Sequence, residues 1–224
     1  MNIKIPTKIS VVKSDYFMKR ARDACFSPPI EADIIKNTIQ ENYFSPVFLD
    51  AYRMSVTALE AFINERIEIN RQIVSGRIAM KLAEADEINQ LKILEMLKEQ
   101  DLVTKYRMMP ILLWQKAFDE NLTPFQDFIA LVSIRNDIIH YKMPFYDEQN
   151  QKPKWARKLE EKHVLLQQPV VTDSCRVWID ELSTLKGAKW AYNSSCKILK
   201  QFAALSSGII KTTCKDYVNS FEEL

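Results

Sequence analysis

Glycine is nearly absent from this chain. Only Gly76, Gly187 and Gly208 occur in 224 residues. A sheet protein draws on glycine at its turns, so the scarcity points to a mostly helical fold. Hydrophobic residues make up 47% of the sequence and charged residues 27%, enough for a soluble globular protein with a real core. The length suits one domain, or two small ones.

The rest of the composition excludes more than it assigns. A formal net charge of +2 gives no bulk attraction for nucleic acid, so such a partner would need a local basic patch. None of Cys25, Cys175, Cys196 and Cys214 forms a C-x-x-C pair, and both histidines are remote from them in sequence. A zinc site is therefore not expected, and neither is a cofactor. No apolar run has signal-peptide or membrane-spanning length, so the expectation is a cytoplasmic protein with reduced thiols and no membrane partner.

The periodicity divides the chain into helices. Residues 1–13 read as an extended arm, Asp15 to Cys25 as a helix stopped by Pro28-Pro29, and Ile30 to Phe44 as the next. Ser45-Pro46 then reads as the cap and first turn of a long helix. Its apolar stripe is Leu49, Tyr52, Val56, Leu59 and Ile63. A polar stripe, Arg53, Thr57, Glu60 and Asn64, runs beside it at roughly 80° from the apolar centre. The helix is expected to stop at Ser75-Gly76. Ala83 to Glu99 is charged and helical. Thr104 to Phe118 forms one helix interrupted by Pro110, or two short ones. Thr123-Pro124 opens a central helix that reaches about Tyr141, closed by Met143-Pro144. A short helix is expected near Lys154–Lys162 in an otherwise polar loop. A last helical region runs from Asp173 to about Ser206, with Gly187 as a candidate break and Gly208 as a C-cap.

The central helix carries the odd residues. It is apolar nearly all round, which marks it as buried in a core or between subunits. Leu131, Ile134 and Ile138 form a second apolar face that one small bundle is not expected to cover. Into this helix the sequence sets Arg135, Asn136 and His140. Asn136 and His140 are i, i+4, so their side chains can meet. Arg135 and His140 lie roughly 140° apart and bracket the stripe, so two copies packed about a two-fold axis would build a better site than one. The plain alternative is a core histidine bonded to a carbonyl or carboxylate, and an arginine paired with Glu60 or Asp137. His163 stands in a charged segment and reads as solvated surface.

Two segments together carry a resemblance. Ser55-Val56-Thr57-Ala58-Leu59-Glu60-Ala61-Phe62-Ile63-Asn64-Glu65 is similar to the second-helix pattern of HEPN domains, a small residue followed by L-E-x-hydrophobic-hydrophobic-N. Ile134-Arg135-Asn136-Asp137-Ile138-Ile139-His140 resembles their R-x4-6-H helix, including the polar residue after the arginine. Lys189-Trp190-Ala191-Tyr192-Asn193 resembles the aromatic-rich start of their final helix. The resemblance spans about residues 46–207.

What it implies is an all-α single helical bundle, here a HEPN-like domain over 46–224 with an insertion at about 75–123. Residues 1–45 would add an N-terminal arm and helices packed on the bundle. It further implies a homodimer with a shared site and RNA as substrate. The RNA 2′-hydroxyl would attack the adjacent phosphate without a metal. Arg135, Asn136 and His140 would then be catalytic, with Glu60, Asn64 and Asp137 in support. Such a chain would act as a toxin or anti-phage defence effector, answering to an antitoxin, a regulatory protein or a ligand. Two other readings stand beside it: a non-catalytic HEPN-like nucleotide- or protein-binding module, and an unrelated helical interaction protein. The ribonuclease reading needs the Arg135 and His140 side chains of two protomers around one open cleft, the binding module allows the cleft without productive geometry, and the interaction protein buries both side chains against internal carboxylates.

Overall fold

Glycine scarcity and helical periodicity are matched by an all-helical architecture. A computed structural model describes residues 12–26, 45–80, 82, 85–140, 154–165, 178–207, 214 and 216–224. Eight helices with defined bounds follow in order among the described residues: α1 Val12–Phe26, α2 Phe48–Ala79, α3 Ala85–Lys98, α4 Leu102–Trp114, α5 Thr123–Ile139, α6 Lys154–Glu161, α7 Trp178–Leu182 and α8 Leu185–Leu205. No strand occurs among the described residues, and no described helix is long and apolar enough to cross a membrane.

The axis of the bundle is α2, 32 residues and ~48 Å long. Its stripe of Leu49, Tyr52, Val56, Leu59 and Ile63 is buried, while Arg53, Glu60 and Asn64 of the polar stripe are exposed. α1, α3, α5 and α8 all pack against α2, and α8 also packs on α1 and α5. α1 therefore belongs to the core, with Met18, Ala21, Ala24 and Cys25 buried. Burial pushes the Cys25 thiol up to about 12 and the Cys196 thiol up to about 11. Four aromatic rings surround Phe202 of α8: Phe62, Tyr106, Trp114 and Phe118, at centroid distances of 5.3, 5.8, 5.3 and 6.4 Å.

Several ends differ from the sequence reading. α2 starts at Phe48, two residues past Pro46. Ser45 still serves the entry, its Oγ accepting from the Val47 N–H at 3.4 Å and its carbonyl from the Phe48 N–H at 3.0 Å. At the other end α2 passes through Ser75-Gly76 to Ala79. Gly76 costs roughly 1 kcal/mol against alanine. Buried Val74 and an Arg77–Glu87 ion pair at 3.0 Å hold the turn against that loss. α3 is clipped to α2 as well: Arg71 and Lys98 grip Glu68 and hold its carboxyl down to about 2.

α4 runs unbroken across Pro110 and ends at Gln115 in the left-handed region (φ 54°). There the Gln115 N–H donates to the Ile111 carbonyl and the Lys116 N–H to the Pro110 carbonyl. The last helical region breaks at Ser183-Thr184, three residues before Gly187. Thr184 Oγ1 accepts from the Gly187 N–H at 3.0 Å and caps α8. The expected Ile30–Phe44 helix, the Asp173 cap and the Gly208 cap lie outside the described residues.

Gly187 is where a missing side chain matters most. A Cβ there would meet the Tyr52 hydroxyl, and would come within 2.6 Å of the Leu182 carbonyl and 3.2 Å of Thr184 Oγ1. Gly187→Ala is expected to destabilise the protein by ~1–3 kcal/mol through overpacking. Thermal denaturation checks this, and a variant as stable as wild type would mean the α8 cap shifts freely.

Candidate functional site

Why the site faces solvent follows from how α5 is laid into the bundle. Pro124 in its first turn fixes the start, and Phe125 and Phe128 anchor that half in the core. Leu131, Ile134 and Ile138 continue the buried line toward the carboxyl end, at 0, 0 and 4% exposure. The face expected to await a second copy is thus covered within one chain, because α2 and α8 both pack on α5. Turning that face inward turns Asn136, Ile139 and His140 outward, and Ile139 is 53% exposed.

His140 ends the helix as its C-cap, its N–H donating to the Asn136 carbonyl at 2.9 Å. Its imidazole and the Asn136 amide have no hydrogen-bond partner among the described residues, so the i, i+4 pair is available without being joined. Arg135 sits differently. Its stem is packed, and Nη2 donates to Glu60 Oε2 of α2 at 3.3 Å. Arg135 Nε is buried with no acceptor. Of the two acids weighed for this arginine, Glu60 is the partner.

Asp137 does something else. Its Oδ2 accepts from Trp155 Nε1 at 2.7 Å, which docks α6 on the carboxyl half of α5. Lys162 of the turn after α6 pairs with buried Asp127, and Lys158 Nζ donates to Gln126 at 2.5 Å. Asp137 therefore holds α6 in place, and among the described residues it forms no hydrogen bond or ion pair with Arg135 or His140. His163 is exposed, in the left-handed region at φ 54°.

Asn64, placed in support of the site, accepts a hydrogen bond at 2.9 Å from Lys105 Nζ of α4. Lys105 is 7% exposed, a site residue that charge and motif alone do not single out. The signal was present: Lys105 stands three residues after Leu102 and four before Met109, on the buried stripe of α4. Tyr106 fixes it there. The Tyr106 hydroxyl donates to the Leu59 carbonyl of α2 at 3.1 Å, and its ring lies 4.8 Å from that of Phe128 on α5. One exposed stripe of α2 thus receives a cation from α4 and another from α5, one helical turn apart.

Searches of family models, curated proteins and solved structures return no match to this chain. The arrangement itself offers a solvent-facing imidazole, a packed arginine and two side-chain amides. Among the described residues, no three His, Cys, Asp or Glu side chains gather as metal ligands would.

Proposed function

We propose that this protein is a metal-independent endoribonuclease of the HEPN type, acting as a toxin or anti-phage defence effector. The observation that carries the reading is the end of α5, where an exposed His140 follows an Arg135 steadied by Glu60. RNA brings its own nucleophile. The 2′-oxygen bonds to the adjacent phosphorus and the bond from phosphorus to the 5′-oxygen breaks. The proton lost from the 2′-hydroxyl and the one gained by the 5′-oxygen both need a carrier. An imidazole suits that work near neutral pH. Arg135 would bind the phosphate and stabilise the charge that grows on it. Asn136 would orient phosphate or imidazole. A second copy would cover the outward face of Asn136, Ile139 and His140, and would bring the second arginine and histidine.

The Arg135–Glu60 contact also favours a second reading, a non-catalytic nucleotide- or protein-binding module, since it gives the arginine a partner without any substrate.

Purified protein incubated with total RNA in EDTA is expected to leave 2′,3′-cyclic phosphate and 5′-hydroxyl ends. Cleavage that stops on chelation and returns with magnesium would overturn the mechanism. Intact RNA under all conditions would favour the binding module.

A further inference from the structure

At two neighbouring positions on the exposed stripe of α2, Glu60 and Asn64, the described charges do not balance; the next position, Glu68, is already taken up by Arg71 and Lys98. Glu60 and Asn64 are i, i+4, which sets their Cβ atoms ~5–6 Å apart. Each receives one cation: Arg135 at 3.3 Å on the carboxylate and Lys105 at 2.9 Å on the amide. The two cations thus face one anion, and Lys105, almost wholly buried, is held by a neutral group. A buried ammonium satisfied by one amide oxygen still carries two further donor protons and its whole charge. Both acceptors lie at the surface, so the ammonium of the buried Lys105, 2.9 Å from the exposed Asn64, stands one hydrogen bond in from solvent.

We propose that Lys105, with Asn64 as its holder, forms a phosphate-binding subsite next to Arg135. It would grip a backbone phosphate of the same single-stranded RNA one position along from the one that Arg135 engages. The Tyr106 contacts with Leu59 and Phe128 fix this distance, because they tie α4 to both α2 and α5 right beside Lys105. Only the identity of the ligand as RNA rests on the ribonuclease reading. The surplus positive charge stands on the geometry.

The test uses a fluorescent 2′-O-methyl oligoribonucleotide, which binds and cannot be cut, and follows anisotropy over a salt series. Wild type should bind with an affinity that falls as salt rises. Lys105→Met should weaken binding about tenfold at low salt, in line with the loss of one charged hydrogen bond. It should also shrink the slope of log affinity against log salt by about 0.7, the share of one single-strand phosphate contact. Lys105→Arg should keep most of both. Asn64→Asp sets a carboxylate against Lys105 and cancels the surplus. It should weaken binding to a similar degree while the thermal midpoint holds or rises, and it decides the matter if Lys105→Met does not fold.

The subsite is overturned if Asn64→Asp and a folded Lys105→Met bind like wild type with unchanged slope, or if wild type shows no salt-dependent binding. Cleavage of natural RNA, assayed in parallel, separates the two ideas. Lys105-dependent binding without any cleavage keeps the subsite and removes the ribonuclease reading. Cleavage with Lys105-independent binding does the reverse.

Discussion

His140→Ala is expected to lower RNA cleavage by ~10²–10⁴-fold, the range lost with a positioned proton-transfer group. Arg135→Ala is expected to lower it by about 10²–10³-fold, as when one charge-stabilising donor is removed. Both variants should fold. His140 is exposed at the end of α5, and truncation there opens no cavity. Arg135 gives up a contact to a half-exposed Glu60, a kind of pair worth ~0–1 kcal/mol, and also sheds a buried Nε that has no acceptor. A His163→Asn control, with a residue that tolerates the left-handed backbone there, should cleave like wild type. Full cleavage by the His140 variant would end the catalytic reading. Unfolding of both variants would mark the pair as structural. A mixed dimer of one His140→Ala and one Arg135→Ala protomer tests sharing directly. In a composite site, one of the two centres keeps both groups and part of the activity returns. In a site confined to one chain, neither centre is whole and activity stays lost.

How much of this was legible depends on distance along the chain. The stripes of α2 are readable because five apolar positions at helical spacing leave little choice of inner face, and Glu60 and Asn64 fall beside that face, where the structure exposes them. Their partners are not. Arg135 is 75 residues from Glu60 and Lys105 is 41 from Asn64, so both pairs exist only once α5 and α4 dock on α2. Leu131, Ile134 and Ile138 could be read as an apolar face, yet periodicity does not say whether a neighbouring helix or a second copy covers it. Asp137 looked like part of the site by adjacency. Trp155, 18 residues on, claims it instead. Gly187 looked like a helix break by composition. The break fell at Thr184, because a threonine side chain that can cap starts a helix and the glycine serves close packing against Tyr52.

The largest stability effect is expected at Phe202. Its ring joins α8 to α2 through Phe62, to α4 through Tyr106 and Trp114, and to the segment before α5 through Phe118. Phe202 is fully buried, as are Phe62 and Tyr106. Close-packed rings cannot flow into the space that a lost phenyl leaves, so the cavity persists along with the lost transfer energy. Phe202→Ala should therefore cost ~3–5 kcal/mol, a large part of the 5–15 kcal/mol typical of a whole domain. At roughly 2–4 °C per kcal/mol for a chain of this size, the thermal midpoint should fall by about 6–20 °C. Met96→Ala on the outer face of α3, where Met96 is 67% exposed, should change stability by no more than ~0.5 kcal/mol. Chemical denaturation of both variants reads the difference. A Phe202→Ala loss under about 1 kcal/mol would mean that these helices do not meet on this ring. The placement of Arg135 and Lys105 along α2 would then lose its foundation, because the same packing of α4 and α5 brings both cations to that stripe.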